Sequence, residues 1–311
     1  MTEQMNPAEP SESERPCKLS PGLYLVATPI GNTGDMTLRA LELLKACDVI
    51  ACEDTRVTGK LLTRFGIRRP TLPYHEYNAA EMRPKLLARL AAGEIVALVS
   101  DAGTPLISDP GYKLVRTCIE SGLAVTALPG ANAVLTALQL SGLPVDRFMF
   151  CGFLPAKSAA RRTEIDALST VPATLVCYES AQRLPAMLAD LASGLGPRPA
   201  AVARELTKLF EEVRRGPLDA LSAHYAAAGP PKGEVVVVIG PPALSETTGL
   251  DGTDLDAALT KALAGTSLRD AVAEVTRLSG QPRRKVYARA LELIGAADSL
   301  ESIGASDHDK I

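Results

Sequence analysis

Ser100-Asp101-Ala102-Gly103-Thr104-Pro105-Leu106-Ile107-Ser108-Asp109-Pro110-Gly111 follows directly on the apolar run Ile95–Val99. A five-residue run of that kind has the length of a buried strand, and the Pro- and Gly-rich stretch after it reads as the turn at its carboxyl end. The same arrangement recurs on either side. Leu23–Ala27 runs into Thr28-Pro29-Ile30-Gly31-Asn32, Asp48–Cys52 into Glu53-Asp54-Thr55-Arg56, and Ala124–Leu128 into Pro129-Gly130-Ala131-Asn132. Thr71–Tyr74 is a further strand candidate. Amphipathic segments at Thr37–Cys47, Val57–Phe65, Ala79–Ala92, Gly111–Ser121 and Ala133–Ser141 separate these runs. Strands alternating with helices of this length predict βαβ units, hence a parallel sheet with helices on its faces. In such a sheet the four turns fall on one edge, where open α/β sheets bind ligands.

Beyond this core the chain divides further. Residues 1–21 are polar, with Pro, Ser and Glu and no apolar h-region, and are expected to form a disordered extension without a secretory signal. The first α/β domain spans 22–143, and Gly142–Arg147 reads as a linker. A second alternation, with apolar runs at Phe148–Leu154, Ala173–Tyr178, Ala200–Ala203 and Glu234–Ile239, predicts a second α/β domain over 148–241. A weakly structured stretch leads to a helical segment at 254–295, expected to contact RNA, and a flexible tail at 296–311.

Composition bounds the function. A length of 311 residues suggests about two domains, and 46% hydrophobic with 22% charged residues supplies a core for each. With no Trp and 4% aromatics, aliphatic side chains must do the packing. The net charge of −3 excludes a uniformly basic nucleic-acid coat, so any RNA contact must come from local patches. No run approaches the roughly 18 apolar residues of a membrane span. Six cysteines without a CxxC pair read as reduced core thiols of a cytoplasmic protein. Three histidines offer no ligand cluster, so no metal is expected. GxGxxG and GxxxxGK[ST] are both absent, which disfavours dinucleotide and P-loop sites.

The turn residues carry a resemblance. Leu25–Asn32, Cys52–Arg56, Leu98–Gly111 and Leu128–Gly130 resemble the tetrapyrrole methylase-like superfamily of S-adenosylmethionine-dependent methyltransferases, and within it the family acting on small-subunit ribosomal RNA. The likeness continues through Gly152–Lys157, Tyr178-Glu179-Ser180, Ala203–Lys208 and Lys232-Gly233-Glu234, across about residues 22–295. It implies two α/β domains with the methyl donor, S-adenosylmethionine, in the cleft between them. It also implies a homodimer, and methylation of the ribose 2′-hydroxyl of a cytidine in the decoding region of 16S rRNA. One departure is Asn132, an amide where many superfamily members carry a hydroxyl shortly after the Pro-Gly.

Methyl transfer from a sulfonium needs a donor pocket, in-line placement of the acceptor oxygen and help with its proton. For the donor, the first-domain candidates are Thr28, Pro29, Asp101, Ala102, Gly103, Thr104, Pro105, Pro129, Gly130, Ala131 and Asn132. The resemblance adds Tyr178, Leu206, Gly233 and Glu234 from the second. For the proton and the acceptor, the catalytic candidates are Glu53, Asp54, Arg56 and His75, with Glu76 and Glu205 as further carboxylates. Asp54 could equally cap the next helix, and His75 could be an ordinary loop histidine. For RNA, the basic clusters are Lys157 with Arg161 and Arg162, Arg283-Arg284-Lys285 with Arg289, and Arg64 with Arg68-Arg69, and Tyr287 could stack on a base. Each cluster could also be a solvated helix face. Two other functions fit the same residues: a small-molecule, tetrapyrrole-type methyltransferase, or a non-catalytic RNA-binding assembly factor.

Overall fold

The computed structural model describes residues 19–242, 252–279 and 281–304. Five strands, β1 (Gly22–Val26), β2 (Val49–Cys52), β3 (Thr71–Pro73), β4 (Ile95–Val99) and β5 (Val125–Leu128), form the first sheet in the order β3-β2-β4-β1-β5. Every pairing in it is parallel. Helices α1 (Leu38–Ala46), α2 (Thr55–Arg64), α3 (Ala79–Ala91), α4 (Tyr112–Glu120) and α5 (Ala133–Ser141) connect the strands or follow them. Both faces of the central strands are covered, as a parallel sheet requires. Ala97 and Val99 of β4 join a core with Leu43 and Leu44 of α1, while Val96 and Leu98 join another with Leu86 of α3.

The second sheet contains β6 (Phe148–Phe153), β7 (Thr174–Ser180), β8 (Pro199–Arg204), β9 (Glu212–Pro217) and β10 (Glu234–Ile239), in the order β6-β7-β10-β8-β9. It is mixed: β6 and β7 are parallel, while β10 runs antiparallel to both of its neighbours and β9 is antiparallel to β8. Helices α6 (Ser158–Leu168), α7 (Leu184–Leu195) and α8 (Leu218–Ala228) pack on one face. Strand β9 escapes the sequence reading because Glu212-Val213-Arg214-Arg215-Gly216-Pro217 has one apolar side chain, a pattern only an edge strand tolerates.

The other face of this sheet is covered by α5. Val134, Ala137 and Leu138 share a core with Val176, Ala201, Val236 and Val238, and with Ile30 from the first sheet's edge. The helix is apolar nearly all round, AVLTALQLS, so it needs a partner on more than one side. One compact unit therefore holds both lobes and ends at Gly240. The chain from Pro241 forms a second unit, with α9 (Gly252–Leu263), α10 (Leu268–Ser279) and α11 (Arg283–Gly304) around Leu255, Leu259, Val272, Val275 and Val286. Helix α11 continues past Ala296, where the tail was expected to begin, through a helix-favouring Ala- and Leu-containing sequence. Residues 1–18 of the expected N-terminal extension and 305–311 of the tail lie outside the described residues. Among the described residues no helix is long and apolar enough to cross a membrane.

Candidate active site

The carboxyl ends of the first sheet's strands meet on one edge, and the quoted turns gather there. The Ser100–Gly111 loop is fastened to the end of β1: Thr28 and Gly103 exchange two backbone hydrogen bonds of 2.9 Å. Thr28 Oγ1 donates to the Ser100 carbonyl at 3.1 Å, and the residue is 2% exposed. Thr28, expected in the donor pocket, is thus a buried fastener that sets the position of its neighbours.

From this anchorage, Asp101, Ala102, Gly103 and Thr104 line one wall of a cavity of about 460 Å³, which Ile107, Ser108 and Asp109 extend. The facing wall comes from the second lobe: Tyr178 of β7, Leu206, Gly233, and Glu234 to Val236 on β10. Both walls contain non-glycine residues with left-handed backbone. Leu106 and Ser108 have φ of 74° and 64° on one side, Glu205 and Thr207 have 49° and 65° on the other. Such residues cost about 1–3 kcal/mol each and cluster where a ligand dictates geometry. The turn at Gly233 is equally constrained. Its φ is +90°, and an added Cβ would run into the Glu205 carboxylate. That carboxylate accepts from the Glu234 amide at 3.1 Å and pairs with Lys208 at 2.9 Å. Glu205 is therefore occupied in shaping the wall.

Four further expected donor contacts, Pro129–Asn132, form the turn between β5 and α5, with Pro129 and Gly130 exposed, Ala131 and Asn132 half-buried, and the next residue, Ala133, lining the cavity. Gly130 packs on Ala27, where a Cβ would come to 2.7 Å. Asn132 caps α5 by accepting from the Leu135 amide at 3.1 Å, and its Nδ2 donates to Thr104 Oγ1 at 3.1 Å. Thr104 Oγ1 donates in turn to the Ala131 carbonyl at 3.1 Å. Asn132 is thus spent on a cap and a brace, which accounts for an amide serving here. Pro105 is buried, and Pro29 borders a neighbouring groove.

The electrostatics centre on carboxylates. Burial, then the Glu53 and Asp101 charges, push Asp109 up from 3.8 to about 6. Glu53 is raised by burial and by Asp101, with His75 opposing. Asp101 is raised by burial, and its Oδ1 accepts from the Asp54 amide at 3.0 Å. Asp54 behaves differently. It caps α2 by accepting from the Arg56 amide at 2.8 Å, and its ion pair with Arg56 at 2.6 Å holds it at about 2. Arg56 is thus oriented by Asp54, not by Glu53. The His75 amide donates to Asn78 Oδ1 at 2.8 Å, while its buried ring Nδ1 finds no hydrogen-bond partner among the described residues. Asp109, Ser108 and Phe153 were missed from sequence. The available signal was the length of the β4–α4 connection, since a long loop without secondary structure is usually functional.

The basic clusters separate sharply. Arg161, expected to contact RNA, is 4% exposed. It pairs with Asp190 at 2.6 Å, and Arg162 pairs with the same carboxylate at 2.7 Å. Two guanidinium groups converging on one buried carboxylate hold α6 to α7, because a buried charge must be paired. Lys157 is exposed at the N-cap of α6. Arg69 donates to the Lys45 carbonyl. Arg283, Arg284 and Lys285 are exposed in the first turn of α11, and Tyr287 is 45% exposed. Arg289 is held by Asp256 at 2.6 Å within the C-terminal unit.

A family model described as Tetrapyrrole (Corrin/Porphyrin) Methylases matches residues 22–222, and one described as an RsmI C-terminal HTH domain matches 249–294. Ribosomal RNA small subunit methyltransferase I of Mesorhizobium japonicum is 52% identical, covering 91% of this chain and 96% of that protein. The chain belongs to this family. The Escherichia coli O157:H7 member is 46% identical over 88% of this chain and 96% of its own. Among solved structures, a diphthine synthase aligns with a TM-score of 0.55 at 18% identity, covering 70% of this chain and 89% of that one. A uroporphyrin-III-C-methyltransferase from Thermus thermophilus aligns at 0.51 and 22% identity, covering 70% and 93%. These distant likenesses show the fold alone. Family membership makes the chain an S-adenosylmethionine-dependent methyltransferase with an RNA substrate. The cavity suits that donor: Asp101, Asp109 and Glu234 offer negative charge for a sulfonium, and Ile30, Leu206, Val235 and Val236 offer an apolar surface for a base.

Proposed function

We propose that the chain methylates the ribose 2′-hydroxyl of a cytidine in the decoding region of 16S rRNA, within the small subunit, as a cytoplasmic homodimer. The observation that carries the reading is the 52% identity, over nearly the whole of both chains, to ribosomal RNA small subunit methyltransferase I; the proton step rests on Asp109, a carboxylate raised to about 6 in the wall of the cavity, with Glu53 and Asp101 acting on it. A ribose hydroxyl is a weak acid, and a base titrating near working pH serves it best.

S-adenosylmethionine supplies an electrophilic methyl group and a neutral thioether leaving group. The chain supplies the rest. Asp101, Ala102, Gly103 and Thr104 hold the donor from the first lobe, and Tyr178, Leu206, Gly233 and Glu234 hold it from the second. Asp109 would take the proton of the ribose hydroxyl whose oxygen accepts the methyl group. Glu53 keeps Asp109 basic by repulsion. Arg56, fixed by Asp54, holds a backbone phosphate, and His75 opposes the upward push on Glu53. Arg283, Arg284 and Lys285 supply a cationic surface for RNA on the separate C-terminal unit.

The test is methyl incorporation from labelled donor into 30S particles, free 16S rRNA and uroporphyrinogen, with donor affinity measured by calorimetry. The proposal expects label on a cytidine ribose in the particle. Label on uroporphyrinogen would overturn it in favour of a small-molecule enzyme, and donor binding without any incorporation in favour of an assembly factor.

A further inference from the structure

Beside the donor cavity lies a second groove, of about 360 Å³, between the β1 end and α2. Pro29, Gly31 and Thr33 form one side, Val57, Lys60, Leu61 and Arg64 the other, and Ser100 and Asp101 its inner end. Asp101 also lines the donor cavity. The segment between the two spaces is a thin partition: Pro29 and Gly31 face the groove while Ile30, between them in sequence, faces the donor side. The groove and the donor cavity thus meet at Asp101, next to the carboxylates that would receive a proton.

The outer rim is cationic. Arg56, Lys60 and Arg64 follow one another at four-residue intervals on α2 and are all exposed. That spacing puts them on one side of the helix over roughly 12 Å. Arg56 is paired with Asp54, whereas no ion pair or hydrogen bond is formed by the Lys60 or Arg64 side chains among the described residues. Below them, Val57 (41% exposed) and Leu61 supply an apolar floor. Cations above apolar surface, leading to a reaction centre, match a single RNA strand, with its charged backbone outside and sugars and bases inside.

We propose that this groove binds the single strand carrying the acceptor ribose, with Lys60 and Arg64 holding backbone phosphates next to the target nucleotide. The proposal rests on the reading of the chain as a ribose methyltransferase, but its binding arm does not depend on turnover. The strand enters along α2, and its target ribose turns inward at Asp101. Lys60 and Arg64 act on position, so they govern RNA binding and leave the donor cavity unaltered.

The experiment uses the full-length protein, a fluorescent single-stranded oligoribonucleotide with the decoding-region sequence, and the double variant Lys60→Ala/Arg64→Ala. Binding is measured across a salt series. Removing two phosphate contacts should flatten the slope of log K against log salt by about 1.4, since each contact on a single strand adds about 0.7. The RNA KM should rise at least tenfold, with donor affinity and melting temperature unchanged. The charge-conserving Lys60→Arg/Arg64→Lys variant should restore the parental slope. An unaltered slope and KM in the alanine variant would overturn the groove assignment. If the parent binds the oligonucleotide with a steep slope that the variant loses, yet neither methylates it or 30S particles, the groove stands and the ribose-methylation reading falls.

Discussion

The two walls of the donor cavity are made of opposite materials. The first-lobe wall is a twelve-residue loop bearing Asp101 and Asp109, tied down at Thr28 and Gly103 and carrying left-handed residues at Leu106 and Ser108. The second-lobe wall is strand surface: Tyr178 on β7, Val235 and Val236 on β10, with Leu206 and Gly233 in the adjoining turns. Strands fix side chains by pleat and packing, and so suit shape recognition of a donor. Loops at a sheet edge can bring titratable groups together at a cost in strain, and so suit chemistry. The contrast assigns proton handling to the first lobe and grip to the second.

The sharpest attempt to break that division is Asp109→Asn. If the first-lobe loop does the chemistry, kcat should fall by about 10²–10⁴, the range for lost general-base help, with donor affinity nearly unchanged. The parental enzyme should lose rate as pH falls through about 6, and the variant should lack that acid limb. Stability should move the opposite way. Because folding raises the Asp109 pKa from 3.8 to about 6, its contribution to stability is full below about 4 and lost as pH rises through 6. The neutral variant should therefore melt higher than the parent at pH 8 and equally at pH 4. The difference is about 1 kcal/mol once solvent screening of a half-open site is allowed for. Equal kcat in parent and variant would remove Asp109 from the chemistry.

Asp101 sits where the division is thinnest, bordering both the donor cavity and the groove. Asp101→Ala should weaken donor binding by about 1.5–3 kcal/mol, the loss of a charge-assisted hydrogen bond, as read by calorimetry. Gly233→Ala tests the gripping wall. Its left-handed φ and the crowding by Glu205 should weaken donor affinity by about 1–3 kcal/mol while leaving kcat at saturating donor near the parental value. A matching fall in kcat would mean the second lobe does more than hold. The smallest effect belongs to Arg56→Ala. Arg56 is 86% exposed and its partner Asp54 keeps its capping role, so melting temperature and donor affinity should not move, and only RNA binding should weaken.

The first lobe was legible in the sequence because a parallel sheet leaves its signature in runs: each apolar stretch ended in a polar turn, and topology alone put those turns on one edge. Ile95–Val99 and Ala133–Ser141 coincide with β4 and α5 to the residue. What α5 packs on was hidden, since its apolar faces do not say which sheet they cover. Strand β9 was hidden by its charges. The RNA patches were least legible, because a count of cations does not reveal their neighbours. Lys157–Arg162 and Arg283–Lys285 read alike, yet Asp190, 29 residues beyond Arg161, takes up two of the first group's charges. Lys60 went unnoticed because its meaning lies in a four-residue rhythm along α2 and in the groove beneath it.

The reciprocal pair of backbone bonds between Thr28 and Gly103 reaches beyond geometry. Neither residue belongs to a regular strand, and a loop amide in an open cleft normally exchanges its hydrogen with solvent almost freely. Here both amides are locked at 2.9 Å in buried residues at the meeting point of β1 and β4. They can open only when the sheet edge itself opens. In deuterated water these two amides should therefore keep their protons about as long as those of the central strands, long after Ala102 and Ile107 have lost theirs. The slowest clock in the cleft would then sit at the base of a loop that carries left-handed residues of its own.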